Sequence, residues 1–209
     1  MLEKLPDALG HALRGRRAGL DKLASNMSGL RGGMAAIEVS SVAFADHMPI
    51  PARYTADGEG LSPPLQWQGV PAAAASLVLI VEDADAPTPR PLVHAIAVDL
   101  PSSQGALAEG ALNSTTAEGP VHVGRNSYLM SGWLPPDPPP GHGAHRYAFQ
   151  VFALLPGEAF SGTPGRDAVM EAVRDRAVAS GCLMGTYERP DASIPLAQGR
   201  AAADKAVPS

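Results

Sequence analysis

The chain changes its hydrophobic rhythm at about residue 35. Before that point Leu2, Leu5, Leu9 and Leu13 recur at three- and four-residue steps, and Leu20 and Leu23 continue the series. That spacing puts apolar side chains on one face of a helix and predicts one or two short amphipathic helices, broken near Arg17–Gly19. Arg31-Gly32-Gly33 reads as a linker. After it the pattern becomes that of strands. Ile37–Phe44 partly alternates, as a half-buried strand does, whereas Ser76–Glu82 is a continuous apolar run, as in a strand covered on both faces. Val93–Leu100 and Tyr147–Leu155 are further strands rich in β-branched and aromatic residues, and Leu183–Tyr187 is a late one. A single later helix is expected over Arg166–Ala179, with Val169, Val173 and Ala177 on one face and Gly181 as its stop. The last 20 residues, Pro190–Ser209, lack periodicity and read as a loosely held tail.

Composition narrows this picture. Glycine (22) and proline (21) make up about a fifth of the 209 residues, with no collagen period, which argues against a helix bundle. The expected organisation is a helical arm and linker over 1–34, a β domain over 35–189 and a tail over 190–209. One cysteine, Cys182, excludes an intramolecular disulfide, and its apolar neighbours make it a small core residue in expectation. No apolar run approaches a membrane span, and no apolar segment of signal-peptide length follows the first basic residues. The cytoplasm is therefore the default compartment. A net charge of −5 gives no footprint for nucleic acid, although residues 1–35 carry a net +3. The arm is read either as a partner-binding or dimerisation element or as a helix packed on its own domain, with a membrane-surface helix third because its apolar face is short and its basic excess small.

The candidate chemistry sits where strands end. Glu82-Asp83-Ala84-Asp85-Ala86-Pro87 places three carboxylates directly after the most apolar run. In strand geometry Asp83 and Asp85 would face the same side; the bland reading is a turn whose aspartates bond their own backbone. Ala86–Pro87 is a candidate cis bond. His94 lies inside an apolar strand, where a histidine is ordinarily a hydrogen-bonded packing residue. His142 and His145 flank Gly143 just before another strand; their spacing on a glycine loop imposes no common face for a metal, and a mixed His/Asp metal site stays open as an alternative. No nucleophile elbow, phosphate-binding loop or dinucleotide fingerprint is present.

Between Phe44 and Arg189 these segments resemble the phosphatidylethanolamine-binding protein family, in its bacterial and archaeal Raf-kinase-inhibitor-like branch. The resemblance is carried by Ile50–Gly58, Ser62-Pro63-Pro64-Leu65-Gln66-Trp67, Glu82–Pro87, His94, Gly124-Arg125-Asn126-Ser127, Pro138–Tyr147 and Gly185–Arg189. It implies a mainly β fold of antiparallel sheets with Greek-key character and peripheral helices, to which the leucine spacing adds an N-terminal helical extension. It also implies a small pocket for an anion, phosphate or a phosphorylated head group. By motif match Asp83 and Asp85 are the pocket aspartates, Pro87 the cis-proline position, His94 and His145 the histidines and Tyr147 the tyrosine. The loop 138–143, with Pro139 and Gly143, is one wall. Ala84 stands where the family has proline, and Leu92 where it commonly has tryptophan, which removes an aromatic wall. The resemblance thus implies a non-enzymatic binding protein without cofactor or metal. Regulation of a protein partner is the alternative, and a weak Asp/His hydrolase a third reading. Family precedent and the leucine stripe together make a homodimer the expected assembly.

Overall fold

The computed structural model describes residues 7–27, 33–113 and 121–189. Leu2, Leu5, most of the linker and the C-terminal tail fall outside them. Ten strands are present among the described residues: β1 (Ala35–Ala36), β2 (Glu38–Ser40), β3 (Met48–Pro49), β4 (Leu65–Gln68), β5 (Ser76–Asp83), β6 (Leu92–Pro101), β7 (Gly105–Leu107), β8 (His122–Val123), β9 (His145–Leu154) and β10 (Ala177–Tyr187). Two helices, α1 (Asp7–Leu13) and α2 (Arg166–Arg176), complete the set with short 3-10 turns. The large sheet runs β1-β10-β9-β5-β6-β8, with β3 added to β10, and a small sheet runs β2-β4-β7. Its antiparallel centre places β9 beside β5, β6 and then β8, a Greek-key order. Only β1 and β3 pair in parallel, both with β10.

The continuous apolar run of β5 follows from its position, since side chains alternate faces along a strand. Leu77, Leu79 and Val81 point into the core shared with the small sheet, where they join Leu65, Trp67 and Phe149. Val78 and Ile80 point the other way, into a second core with Phe152 and with Val169, Met170 and Val173 of α2. The same alternation separates the next two residues. Glu82 goes to the α2 face and Asp83 to the other.

Two expectations are corrected on β10. The helix stops at Arg176, not Ala179: Ala177 is extended and its N–H closes the last turn on the Val173 carbonyl. Ala177 and Ala179 are both buried. Ala177 continues the Val169–Val173 helical series at i+4 but also shares a strand face with Ala179 at i+2, and pairing with β9 from Leu154 onward decides for the strand. Gly181 is then not a helix stop. It lies mid-strand, and a Cβ there would fall 2.0 Å from the Ile37 carbonyl oxygen. Cys182 is exposed, not a core residue; its parity is opposite to that of Leu183, which faces the core shared with the small sheet.

The arm packs on its own domain. After α1 the chain runs extended across the β5–β6 loop, with Ala18 N donating to Ala86 O at 2.9 Å and Gly19 N to Ala84 O at 2.8 Å. Leu23 and Ala24 are buried beyond it. Ala24 N donates to Glu82 Oε2 at 2.7 Å and Ser25 N to Gln150 Oε1 at 2.8 Å.

Candidate functional site

A cavity of about 270 Å³ opens beside the end of β5. Its floor carries Asp83, His94, Asp137 and His145, and its walls are mostly apolar, formed by Leu13, Ala86, Pro87, Leu92, Tyr128, Leu134, Pro135, Pro138 and Pro139, with Thr88 among them. Of the residues expected from sequence, Asp83, Pro87, His94, Pro139 and His145 are brought together here. Asp85, Gly143 and Tyr147 do not line it.

His94 reaches the floor through a β-bulge. Val81 pairs with Ala95 and Glu82 with Val93, so His94 is the extra residue between them. Val93 and Ala95 consequently lie in different cores, and alternation alone could not have placed the histidine. Its Nδ1 lies 2.6 Å from the Leu134 carbonyl oxygen. A carbonyl only accepts, so Nδ1 carries the proton and Nε2 of the neutral ring has a lone pair. Burial holds the His94 pKa below the ordinary histidine value, against the opposing pull of Asp83. Nε2 is buried without a partner. The Tyr147 ring lies edge-on to His94 at 5.1 Å. Its hydroxyl is also buried without a partner, and burial keeps it a neutral phenol by raising its pKa well above the usual value.

His145 is held from both sides. Its Nδ1 lies 2.7 Å from Asp83 Oδ2, and its Nε2 lies 2.7 Å from His142 Nδ1. His142 Nε2 in turn lies 2.9 Å from the Leu13 carbonyl oxygen. His142 Nε2 must donate to that carbonyl, so His142 Nδ1 accepts from His145 Nε2–H. These three contacts need three protons, and two neutral imidazoles supply only two. The third places a proton between Asp83 and His145, as an imidazolium–carboxylate pair or its neutral equivalent. Burial, and then His145 itself, lower the His142 pKa, which keeps the excess charge off that ring.

The two aspartates have separated. β5 ends at Asp83, whose Oδ1 accepts the Asp85 backbone N–H at 2.8 Å, so this stretch is partly the self-bonded turn considered from sequence. Asp85 therefore does not share the Asp83 side. It takes Arg146 through N (2.9 Å), Nε (2.7 Å) and a terminal guanidinium nitrogen (2.7 Å), and Arg17 at 2.8 Å. Burial opposes its charge, but those guanidinium bonds hold its pKa down to about 2. No cis peptide occurs among the described residues, so Ala86–Pro87 is trans, with the Ala86 carbonyl turned to the arm's Ala18 N–H. Gly143 serves the backbone: its φ of +96° suits glycine at the turn between Pro139 and β9.

Sequence reasoning missed Asp137, Leu134 and Leu13. Asp137 is a cavity residue anchored by Arg189, 2.7 Å away, which also grips Asp57 and the Pro138 carbonyl. Its place in a proline-rich loop was visible, but its direction was not. Leu13 comes from the arm, more than 60 residues from any other part of the site.

Comparisons with known proteins agree with this architecture. A family model described as phosphatidylethanolamine-binding protein matches residues 40–188. A UPF0098 protein of Pyrococcus abyssi is 38% identical over 162 residues, covering 76% of this chain and 88% of its own. The crystal structure of CT736 from Chlamydia trachomatis, described as a phosphatidylethanolamine-binding protein homologue, superimposes with a TM-score of 0.66 at 36% identity, covering 74% of this chain and 98% of its own. Escherichia coli YbcL, described as a new member of the mammalian family, gives a TM-score of 0.67 at 25% identity and covers 73% and 98%. The chain belongs to the phosphatidylethanolamine-binding protein family.

Proposed function

We propose that the protein is a non-enzymatic binding protein. Its cavity takes up a small anionic or phosphorylated ligand, phosphate or a phospholipid head group. The observation that carries this reading is His94 Nε2, a buried polar atom without a partner on the cavity floor beside Asp83, Asp137 and His145. An unsatisfied buried group of this kind costs about 1–3 kcal/mol and marks a place where a ligand atom is worth binding. In the neutral ring that atom accepts. An anion bonded to it therefore brings a proton, either as the P–OH of a partly protonated phosphate or by protonating the imidazole. The Asp83 carboxylate repels a phosphate, and its work in this reading is to orient and charge His145. Both His145 nitrogens have partners, which leaves no lone pair for general-base work and favours binding over hydrolysis.

Calorimetric titration with inorganic phosphate and with phosphoethanolamine tests the proposal. Binding accompanied by proton uptake in the native protein, and its loss in His94→Ala, are expected; equal affinity in the variant overturns it. The same reading keeps the protein in the cytoplasm as a homodimer. Native mass spectrometry of protein purified from its own host reports the assembly and any bound ligand together.

A further inference from the structure

The family match begins at residue 40, yet the cavity wall includes Leu13. We infer that the N-terminal arm is part of the binding site and tunes it through His142: docked, it withholds the His145 Nε2–H from a ligand. The inference rests on the anion-binding reading above and extends it to residues outside the family core.

The arm is fitted to the loop that carries His142. A Cβ on Gly10 would come within 1.9 Å of the Pro140 carbonyl oxygen, so α1 sits directly on that loop. Arg14 Nε donates to Gly141 O at 3.1 Å and Arg17 to Ala144 O at 2.9 Å. Leu13 then acts twice. Its side chain closes the cavity, and its carbonyl fixes the tautomer and position of the fully buried His142 ring. So fixed, His142 presents only a lone pair to His145, whose Nε2–H is spent on it. His142 is thus a positioning residue: it occupies the donor that an anion at the cavity floor would use.

The hold on residues 7–17 is separable from the hold on the rest of the arm. From Ala18 onward, main-chain bonds to Ala84, Ala86 and Glu82 anchor it. Before Ala18, attachment rests on α1 packing and on side-chain bonds to backbone carbonyls and Asp85. Gly19, at φ +105°, marks the junction. Undocking α1 removes the Leu13 carbonyl from His142, frees that ring to turn, and leaves the His145 N–H to a ligand.

The test is phosphate titration of the full chain as His142→Ala, Gly10→Val, His142→Asn and His94→Ala, with thermal melts to establish folding. A charge-assisted hydrogen bond gained by the ligand predicts phosphate affinity on the order of tenfold higher in His142→Ala. Gly10→Val lies outside the cavity lining, against the Pro140 carbonyl and the His142 backbone nitrogen. It is expected to raise affinity in the same direction and to speed tryptic cleavage at Arg14–Arg17. His142→Asn restores an acceptor for His145 and is expected to return affinity toward the native value. Equal or weaker binding in folded His142→Ala overturns the inference. So does faster cleavage of Gly10→Val without an affinity change, which also decides the matter if His142→Ala does not fold. Phosphate that binds all but His94→Ala with one affinity removes only the role of the arm. Phosphate that binds none of these proteins, native included, removes the binding reading itself.

Discussion

Glu82 and Asp83 are adjacent in sequence and face opposite sides of the same sheet, and the two sides are finished differently. On the α2 side the Glu82 carboxylate is saturated. It takes Arg166 Nε at 2.6 Å, Gln150 Nε2 at 2.9 Å and the Ala24 backbone N–H at 2.7 Å. That cluster ties strand, helix and arm together and leaves nothing for a ligand. On the Asp83 side two neighbouring polar atoms, His94 Nε2 and the Tyr147 hydroxyl, are buried without partners. Folding has tolerated a cost there that it removed one residue away. The comparison teaches that a buried carboxylate is not by itself a sign of function; the unsatisfied group beside it is.

Breaking the saturated side should have the largest effect. Glu82→Leu strands the Arg166 guanidinium, whose side chain is only 14% exposed, and leaves the Ala24 N–H unbonded. A loss of about 3–5 kcal/mol in denaturant unfolding is expected, since removing one partner of a buried pair leaves an uncompensated charge. A loss below about 1 kcal/mol would mean that the cluster holds nothing together. Asp83→Asn, on the other side, removes the charge that pairs with His145. The expected stability loss is about 1–2 kcal/mol, with phosphate binding weakened by at least about tenfold. Unchanged binding would detach Asp83 from the site.

Asp85 sharpens the contrast through pH. Its folded pKa, about 2, lies below the unfolded value of 3.8. The resulting stabilisation is present above about pH 4 and lost as pH falls from about 4 through about 2. It amounts to about 1–2 kcal/mol once the solvent-facing Arg17 and Arg146 are allowed for. Asp85→Asn should flatten the acid limb of the stability profile and should not weaken phosphate binding. A large affinity loss would return Asp85 to the binding site. The smallest effect is expected at Cys182. Because it is exposed on β10, Cys182→Ser should change stability by no more than about 0.5 kcal/mol. A loss above about 1.5 kcal/mol would restore it to the core.

The central strands were legible because their pattern had one physical solution. An unbroken apolar run such as Leu77–Val81 of β5 needs cover on both faces, and the structure supplies two cores. The segment 177–181 was not legible, because Ala177 lies four residues after Val173, on the helix face, and two before Ala179, on a strand face, so that it serves either period. Within the site, Asp83, His94 and His145 could be named from their motifs, but what surrounds them could not. A one-residue bulge sets the direction of His94, and a turn bond from Asp83 to the Asp85 N–H ends the alternation that would have aligned the aspartates. Leu13 was illegible for a different reason: its role depends on where a helix docks, and leucine spacing reports only that the helix has an apolar face.

The central claim is that the cavity binds an anion at His94. Histidine-ring nitrogen NMR of the native protein, titrated with inorganic phosphate, reads that atom directly. Without phosphate, His94 should show a protonated Nδ1 and a bare Nε2; saturating phosphate should move the Nε2 resonance toward the hydrogen-bonded or protonated position. A His94 Nε2 signal that stays in place at saturating phosphate would contradict the account.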